Sequence, residues 1–277
     1  MDTPSSTGLL YLWDRRTFFL GVLSDPRHIF QAAAILTVSL DGPFRVQHGN
    51  PSQEIVCRSL LLAAGQEAHI DSGNAMIAMC FLDPFGQDYA SLSAVMTQVR
   101  DGIYVQLPEE QRFQEIFADV LRETPTPDPL YAILDQLFHQ RGDTPLAVDP
   151  RVVQVVELIK RSITVNLLVE DLADAVELSA PRLIQLFKRQ IGVPIRRYRQ
   201  WHRVYVTAVG VAGGKSLTEA ALSAGFTDSS HFSNTFRTMV GMKPSSVLSH
   251  LERIRIFAPA RPELDASLAA PRPRAIE

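Results

Sequence analysis

Ser229, Ser230, Ser233 and Asn234 are four small polar residues spaced to share one side of a helix. Hydroxyl and carboxamide groups presented together in this way can hydrogen-bond the edges of nucleic-acid bases, or phosphates. Earlier in the chain a second set faces outward from a comparable helix. Arg182, Gln185 and Lys188 supply charge and hydrogen bonds there, and Ile184 adds a partly exposed apolar contact. The two cysteines, Cys57 and Cys80, form no metal-type cluster and suit a reducing compartment as buried thiols.

The elements that must carry these residues are legible as a repeat. Residues 179–192 and 228–241 match at an offset of 49. Each segment opens on a helix-capping residue, Ser179 or Asp228, and has an apolar residue four places on, Leu183 or Phe232. Phe187 and Phe236 follow at the same offset, each with a basic neighbour, Lys188 or Arg237, and a glycine five places beyond that closes the helix. A short helix precedes each one. Residues 169–175 form the first, with Leu172, Ala173 and Val176 facing inward. The second starts at the capping box Ser216-Leu217-Thr218-Glu219. Between the units, 195–212 reads as one long helix with an apolar stripe of Ile195, Tyr198, His202, Tyr205, Val206 and Val209. Arg196, Arg199 and Arg203 fall on another face. Eighteen residues span about 27 Å, close to the roughly 34 Å between successive major-groove faces of DNA. Gly210 is expected to weaken this rod.

Charge divides the chain in the same way. Residues 1–145 hold 9 arginines, no lysine and 18 acidic residues, a net of −9, whereas 146–277 hold 18 basic and 12 acidic residues, a net of +6. Within 179–255 the balance is 12 to 3, or +9, which suits a nucleic-acid-binding half joined to an acidic half. Short apolar runs separated by turn residues fill 9–106 and argue for a small β-barrel or sandwich. Two amphipathic stripes follow. Phe113, Ile116, Phe117, Val120 and Leu121 form the first, and Leu130, Ile133, Leu134, Leu137 and Phe138 the second, each suited to a core or to a dimer contact. Residues 141–145 read as a hinge, everything from Asp149 to about Arg255 as helix, and the Pro-, Ala- and Arg-rich tail 259–277 as disordered. No signal peptide and no membrane span is visible, so a cytoplasmic protein without a membrane partner is expected.

Residues 169–246 resemble the tandem helix-turn-helix domain of the AraC/XylS family of bacterial transcription regulators. The resemblance is carried above all by Gly225-Phe226-Thr227-Asp228-Ser229-Ser230-His231-Phe232-Ser233-Asn234-Thr235-Phe236-Arg237 and by Gly241-Met242-Lys243-Pro244-Ser245. It implies that the outer face of each second helix reads a major groove. In the first unit this falls on Pro181, Ile184 and Gln185, with Arg182 and Lys188 near phosphates. In the second it falls on Ser229, Ser230, Ser233 and Asn234, with Arg237 beside them. Pro181 and Ile184 offer no side-chain hydrogen bond, so readout by the first unit is expected to be apolar, as against a thymine methyl. The N-terminal part resembles, through His28-Ile29-Phe30 and Gly65-Gln66-Glu67-Ala68-His69, the cupin-like sensing domain such regulators often carry.

The resemblance therefore implies an α+β multidomain protein. Its expected parts are a cupin-like effector-sensing β-barrel (1–107), a helical linker or dimerisation segment (108–145) and an all-α DNA-binding domain (146–258) with helix-turn-helix units at 170–189 and 217–240. His28, Phe30 and His69 are the expected effector-pocket residues. Only two cupin-type ligands survive, so no metal, no other cofactor and no catalysis are expected. The expected partners are promoter DNA, a small-molecule effector, RNA polymerase and a second copy of the chain, and the expected role is activation. Two rival readings are a cupin-type metal enzyme fused to a DNA reader, and a constitutive regulator whose barrel only dimerises.

Overall fold

The computed structural model describes residues 8–22, 27–49, 52–83, 87–139, 148–240, 244 and 254–258. The expected hinge at 141–145 and the expected disordered tail at 259–277 lie outside them, as does the end of the second signature from Gly241 to Lys243. In the first half, β1 (Gly8–Leu12), β2 (Arg16–Val22), β3 (Arg27–Phe30), β4 (Ala34–Ser39) and β5 (Phe44–His48) run into β6 (Gln53–Cys57), β7 (Ser59–Leu62), β8 (Glu67–Asp71) and β9 (Met76–Leu82). A short helix α1 (Gln87–Ser93), the hairpin β10 (Thr97–Arg100) and β11 (Ile103–Val105), and the helices α2 (Glu110–Glu123) and α3 (Pro127–Phe138) follow. The second half runs α4 (Pro150–Arg161), α5 (Val169–Asp174), α6 (Ala180–Ile191), α7 (Ile195–Ala212), α8 (Leu217–Ser223) and α9 (Ser229–Val240), and returns to a strand, β12 (Ile254–Phe257).

The strands make two sheets. The larger is ordered β10-β11-β7-β4-β9-β2-β1-β12 and the smaller β3-β8-β5-β6. One face of the large sheet packs on the small one through Ile35, Leu60, Ile77 and Met79 against Phe44, Val46, Ala68 and Ile70. The strand alternation follows from this packing. Phe44, Val46 and His48 of β5 are buried, while Arg45 and Gln47 are exposed. β4 is covered on both sides and has no exposed residue, which is why it reads as an unbroken apolar run.

The other face of the large sheet is covered by α2 and α3. Phe113, Phe117, Val120, Leu130, Leu134, Leu137 and Phe138 share a core with Leu9, Tyr11, Phe18 and Leu36. Both amphipathic stripes are therefore filled by the chain's own sheet. Leu134 is 0% exposed and is no free dimer face, and 110–138 is part of the sheet domain's core, not a linker. Arg16 fastens the same region. Its guanidinium donates to both Asp88 carboxylate oxygens at 2.7 and 2.6 Å and to Asp135 at 2.9 Å, tying β2 to α1 and α3.

The last described segment departs from the all-helical expectation. Ile254–Phe257 pairs in parallel with β1, in register Gly8↔Ile254 to Tyr11↔Phe257. The Ile-Arg-Ile-Phe alternation suits a strand, and Phe257 stacks on Tyr11 at 4.5 Å.

Candidate nucleic-acid interface

Each helix-turn-helix unit has its own core. Leu172, Ala173, Leu183, Leu186 and Phe187 join Val152, Val155 and Ile159 of α4 around the first. Ala221, Ala224, Phe226, Phe232 and Met239 form the second, with Val204, Tyr205 and Val206 of α7. The turns are built alike. The Leu178 and Phe226 amides donate to the Ala173 and Ala221 carbonyls at 3.0 and 3.1 Å. The preceding residue is left-handed in each, Glu177 at φ 55° and Gly225 at φ 86°. At Gly225 a β-carbon would also lie 2.7 Å from the Ile163 carbonyl oxygen, so glycine is required there.

The caps differ in detail. Asp228 accepts from the His231 amide at 2.7 Å, and Ser216 with Glu219 forms the expected capping box. Ser179 has cap geometry, but its hydroxyl makes no cap bond. α7 runs unbroken over Ile195–Ala212, and Gly210 does not interrupt it. A β-carbon at Gly210 would sit 3.0 Å from the Ala220 methyl, so the bare residue lets α8 approach the rod.

These frames leave the predicted reading residues on the surface. Pro181, Arg182, Ile184, Gln185 and Lys188 of α6 are all exposed, Ile184 to 45%. On α9, Ser230, Asn234 and Arg237 are exposed, while Ser229 and Ser233 are half-buried. Arg237 reaches Asn234 Oδ1 at 3.5 Å, a long contact that leaves the carboxamide available. The basic face of α7 is smaller than expected. Arg196 is exposed, but Arg199 donates to Asn166 at 2.9 Å, and Arg203 is buried and donates to the Ile163 carbonyl at 3.2 Å. Arg203 therefore braces the second unit from within.

The reading half is docked on the sheet domain. Lys160 of α4 pairs with Asp14 and Asp83 at 3.0 and 3.5 Å. Arg197 lies 3.9 Å over the Phe30 ring and donates to the Phe30 carbonyl at 3.0 Å. Gly192, which caps α6 at φ 85°, meets the turn between β7 and β8 so closely that a β-carbon on Gly65 would lie 2.8 Å from its carbonyl oxygen. Leu10, Leu12 and Ile256 pack into the second unit's core, and α9 lies beside β3.

The expected effector residues do not gather around one cavity. His28 and His69 are cross-strand neighbours on the outer face of the small sheet, with ring centroids 4.7 Å apart. His28 Nε2 binds Glu67 at 2.6 Å, and Phe30 is taken up by Arg197. Strand alternation explains the difference, because Ile29, Ala68 and Ile70 take the inward phase. Of the three, His69 borders an open cleft of about 560 Å³ that also includes His48, Gln66 and Arg100. Of these, His48 and Arg100 were not picked out from the sequence. The available signal was His48, a polar residue on the apolar phase of β5. Among the described residues no three His, Cys, Asp or Glu side chains are placed to hold a metal ion.

Residues 172–250 match the helix-turn-helix domain family. The melibiose operon regulatory protein of Escherichia coli is 33% identical over 91 residues. The chain carries an AraC-type DNA-binding domain. This is a helix-turn-helix DNA-binding module, and α6 and α9 are the second helices of its two units. The aligned stretch is 32% of this chain and 29% of the melibiose regulator, so the chain spans less than a third of that relative.

The fold as a whole, a sheet domain followed by a helical domain, is shared with ToxT of Vibrio cholerae. The crystal structure of the O395 protein has a TM-score of 0.61 at 15% identity, covering 86% of this chain and 99% of that one. Similar likenesses hold for ToxT bound to (E)-4-(8-methylnaphthalen-1-yl)but-3-enoic acid, with a TM-score of 0.60 at 13% identity and coverage of 86% and 100%. For ToxT bound to an unsaturated fatty acid the TM-score is 0.54 at 14% identity, with coverage of 90% and 97%. Identities this low speak for the fold alone. None of the described helices is long and apolar enough to cross a membrane.

Proposed function

We propose that this protein is an effector-responsive, sequence-specific transcription regulator of the AraC type, an activator that binds promoter DNA in the cytoplasm. The observation that carries the reading is the pair of capped helices, α6 and α9, held by one unbroken α7 with most of their predicted reading residues exposed. On this reading 146–258 is the DNA-binding unit and 1–107 a cupin-like sensor, with 108–145 packed on the sensor. RNA polymerase would be the partner at the promoter. ToxT has been crystallised with organic acids, which supports a small-molecule effector in the shared architecture. β3 lies beside α9, so full seating of α9 in a groove calls for the sheet domain to give way. A homodimer would have to use a surface other than Leu134, Leu137 and Phe138.

The rival metal enzyme requires three protein ligands, and among the described residues no three His, Cys, Asp or Glu side chains are placed to hold a metal ion. Genome-wide mapping of bound DNA tests the main reading. Enrichment at a shared promoter motif, lost when Gln185 and Asn234 are both changed to Ala, is the expected result. Uniform, motif-free binding would overturn it.

A further inference from the structure

We propose that the open end of the two-sheet sandwich binds a small polar carboxylate. The ends of β5 and β10 and the turn after β7 border there the cleft of about 560 Å³, lined by His48, Ser52, Gln66, His69, Arg100 and Ile103 among others. That volume lies in the range of sites for small molecules.

His48 is the first reason. It ends β5 on the inner face of the small sheet, is 6% exposed, and its Nδ1 is buried with no hydrogen-bond partner among the described residues. An unpaired buried ring nitrogen is a standing cost, and the residue that carries it lines the cleft. Burial, and then the charge of Arg100, lower the pKa of its imidazole.

Arg100 is the second reason. It ends β10, is exposed, and forms no ion pair among the described residues. Glu67 also lines the cleft, but its carboxylate is held by His28 at 2.6 Å. The permanent charge of Arg100 therefore borders the cleft beside the His48 ring, where it can meet an anionic group. A planar guanidinium binds a carboxylate through two parallel hydrogen bonds, which selects an organic acid over a neutral polyol.

The rest of the lining suits a polar ligand body. Ser52 offers a hydroxyl and Gln66 a carboxamide. Gly102, at φ 71°, leaves room for the Gln66 side chain, since a β-carbon there would lie 2.5 Å from Gln66 Nε2. Gly65 belongs to the same wall and abuts Gly192, the cap of α6, so the cleft and the first reading helix share a turn. Only this last coupling rests on the regulator reading.

The test uses the full chain and a matched pair of probes, D-galacturonate and D-galactose, which share a ring and differ at the carboxylate. Acetate, gluconate and benzoate complete the acid set. Titration calorimetry should show saturable binding of at least one acid, and galacturonate at least ten-fold tighter than galactose. Arg100→Gln, an exposed change, should weaken acid binding at least ten-fold, and the His48 imidazole nitrogen signals should move on titration. Equal binding of galactose, an unaltered affinity in Arg100→Gln, or no saturable binding of any acid at millimolar concentration would overturn the proposal. Promoter-DNA affinity of apo Arg100→Gln, measured in parallel, should be unchanged. Its retention while acid binding fails assigns that failure to this site and leaves the DNA reader standing.

Discussion

At the scale of single residues, the two reading helices carry different chemistry on similar frames. Asn234 can pair with an adenine edge, whereas Ile184 and Pro181 can only fill space against a methyl group. Asn234→Ala is expected to cost about 1–3 kcal/mol at the preferred site and little on random DNA. Fluorescence anisotropy on both DNAs checks it, and equal losses would reduce Asn234 to a phosphate contact. His202 makes a second prediction. Burial, and then the charge of Lys160, push its imidazole down to about 4 against the pull of Asp14. The unfolded chain binds that proton below about 6.5, and the folded chain refuses it until about 4. Folding stability should therefore fall as pH is lowered through that window, by at most about 1.4 kcal/mol per pH unit from this group. Denaturant melts of wild type and His202→Gln at several pH values measure the difference. A slope unchanged by the substitution would show that His202 does not carry it.

At the scale of elements, glycine decides how closely the helices fit. Gly225→Ala forces a side chain into a left-handed turn and against the Ile163 carbonyl, and should cost at least about 1–3 kcal/mol. A thermal melt with no loss would contradict the turn geometry. Leu134→Ala should destabilise by about 2–5 kcal/mol, because it opens a cavity under α3 and severs no partner. Light scattering alongside the melt separates loss of fold from loss of assembly.

These elements also mark what the sequence could reveal. The repeat, the caps and the 195–212 rod were legible because capped helices announce both ends locally. The β character of the first half was legible from the short apolar runs between turn residues in 9–106. Gly8–Leu12, Arg27–Phe30 and Glu67–Asp71 were not singled out, since each is short and takes its burial from a distant neighbour. The fate of the Leu134 stripe was likewise undecidable from periodicity, which identifies an apolar face without naming what covers it. His28 and His69 part company for a related reason, since only His69 borders the cleft. Residue type suggested a pocket, and strand phase turned both outward.

At the scale of the whole molecule, an acidic sheet domain holds a basic reading half through an ion pair, a guanidinium on an aromatic ring and two apposed glycines. With roughly 6–8 phosphate contacts, log affinity for DNA should fall with log salt at a slope of about −5 to −7. A slope near zero would remove phosphate contact as the source of affinity.

The pairing of β1 with β12 carries a further consequence, for the order in which the chain can be completed. As the chain leaves the ribosome, Gly8–Leu12 emerges long before Ile254–Phe257, and every reading helix is made in between. Until the closing strand arrives, one side of β1 is an open ladder of amide and carbonyl groups. The nascent protein thus passes through a stage in which α6 and α9 exist but the edge of β1 is unpaired, the state in which off-pathway pairing between neighbouring chains is most favoured.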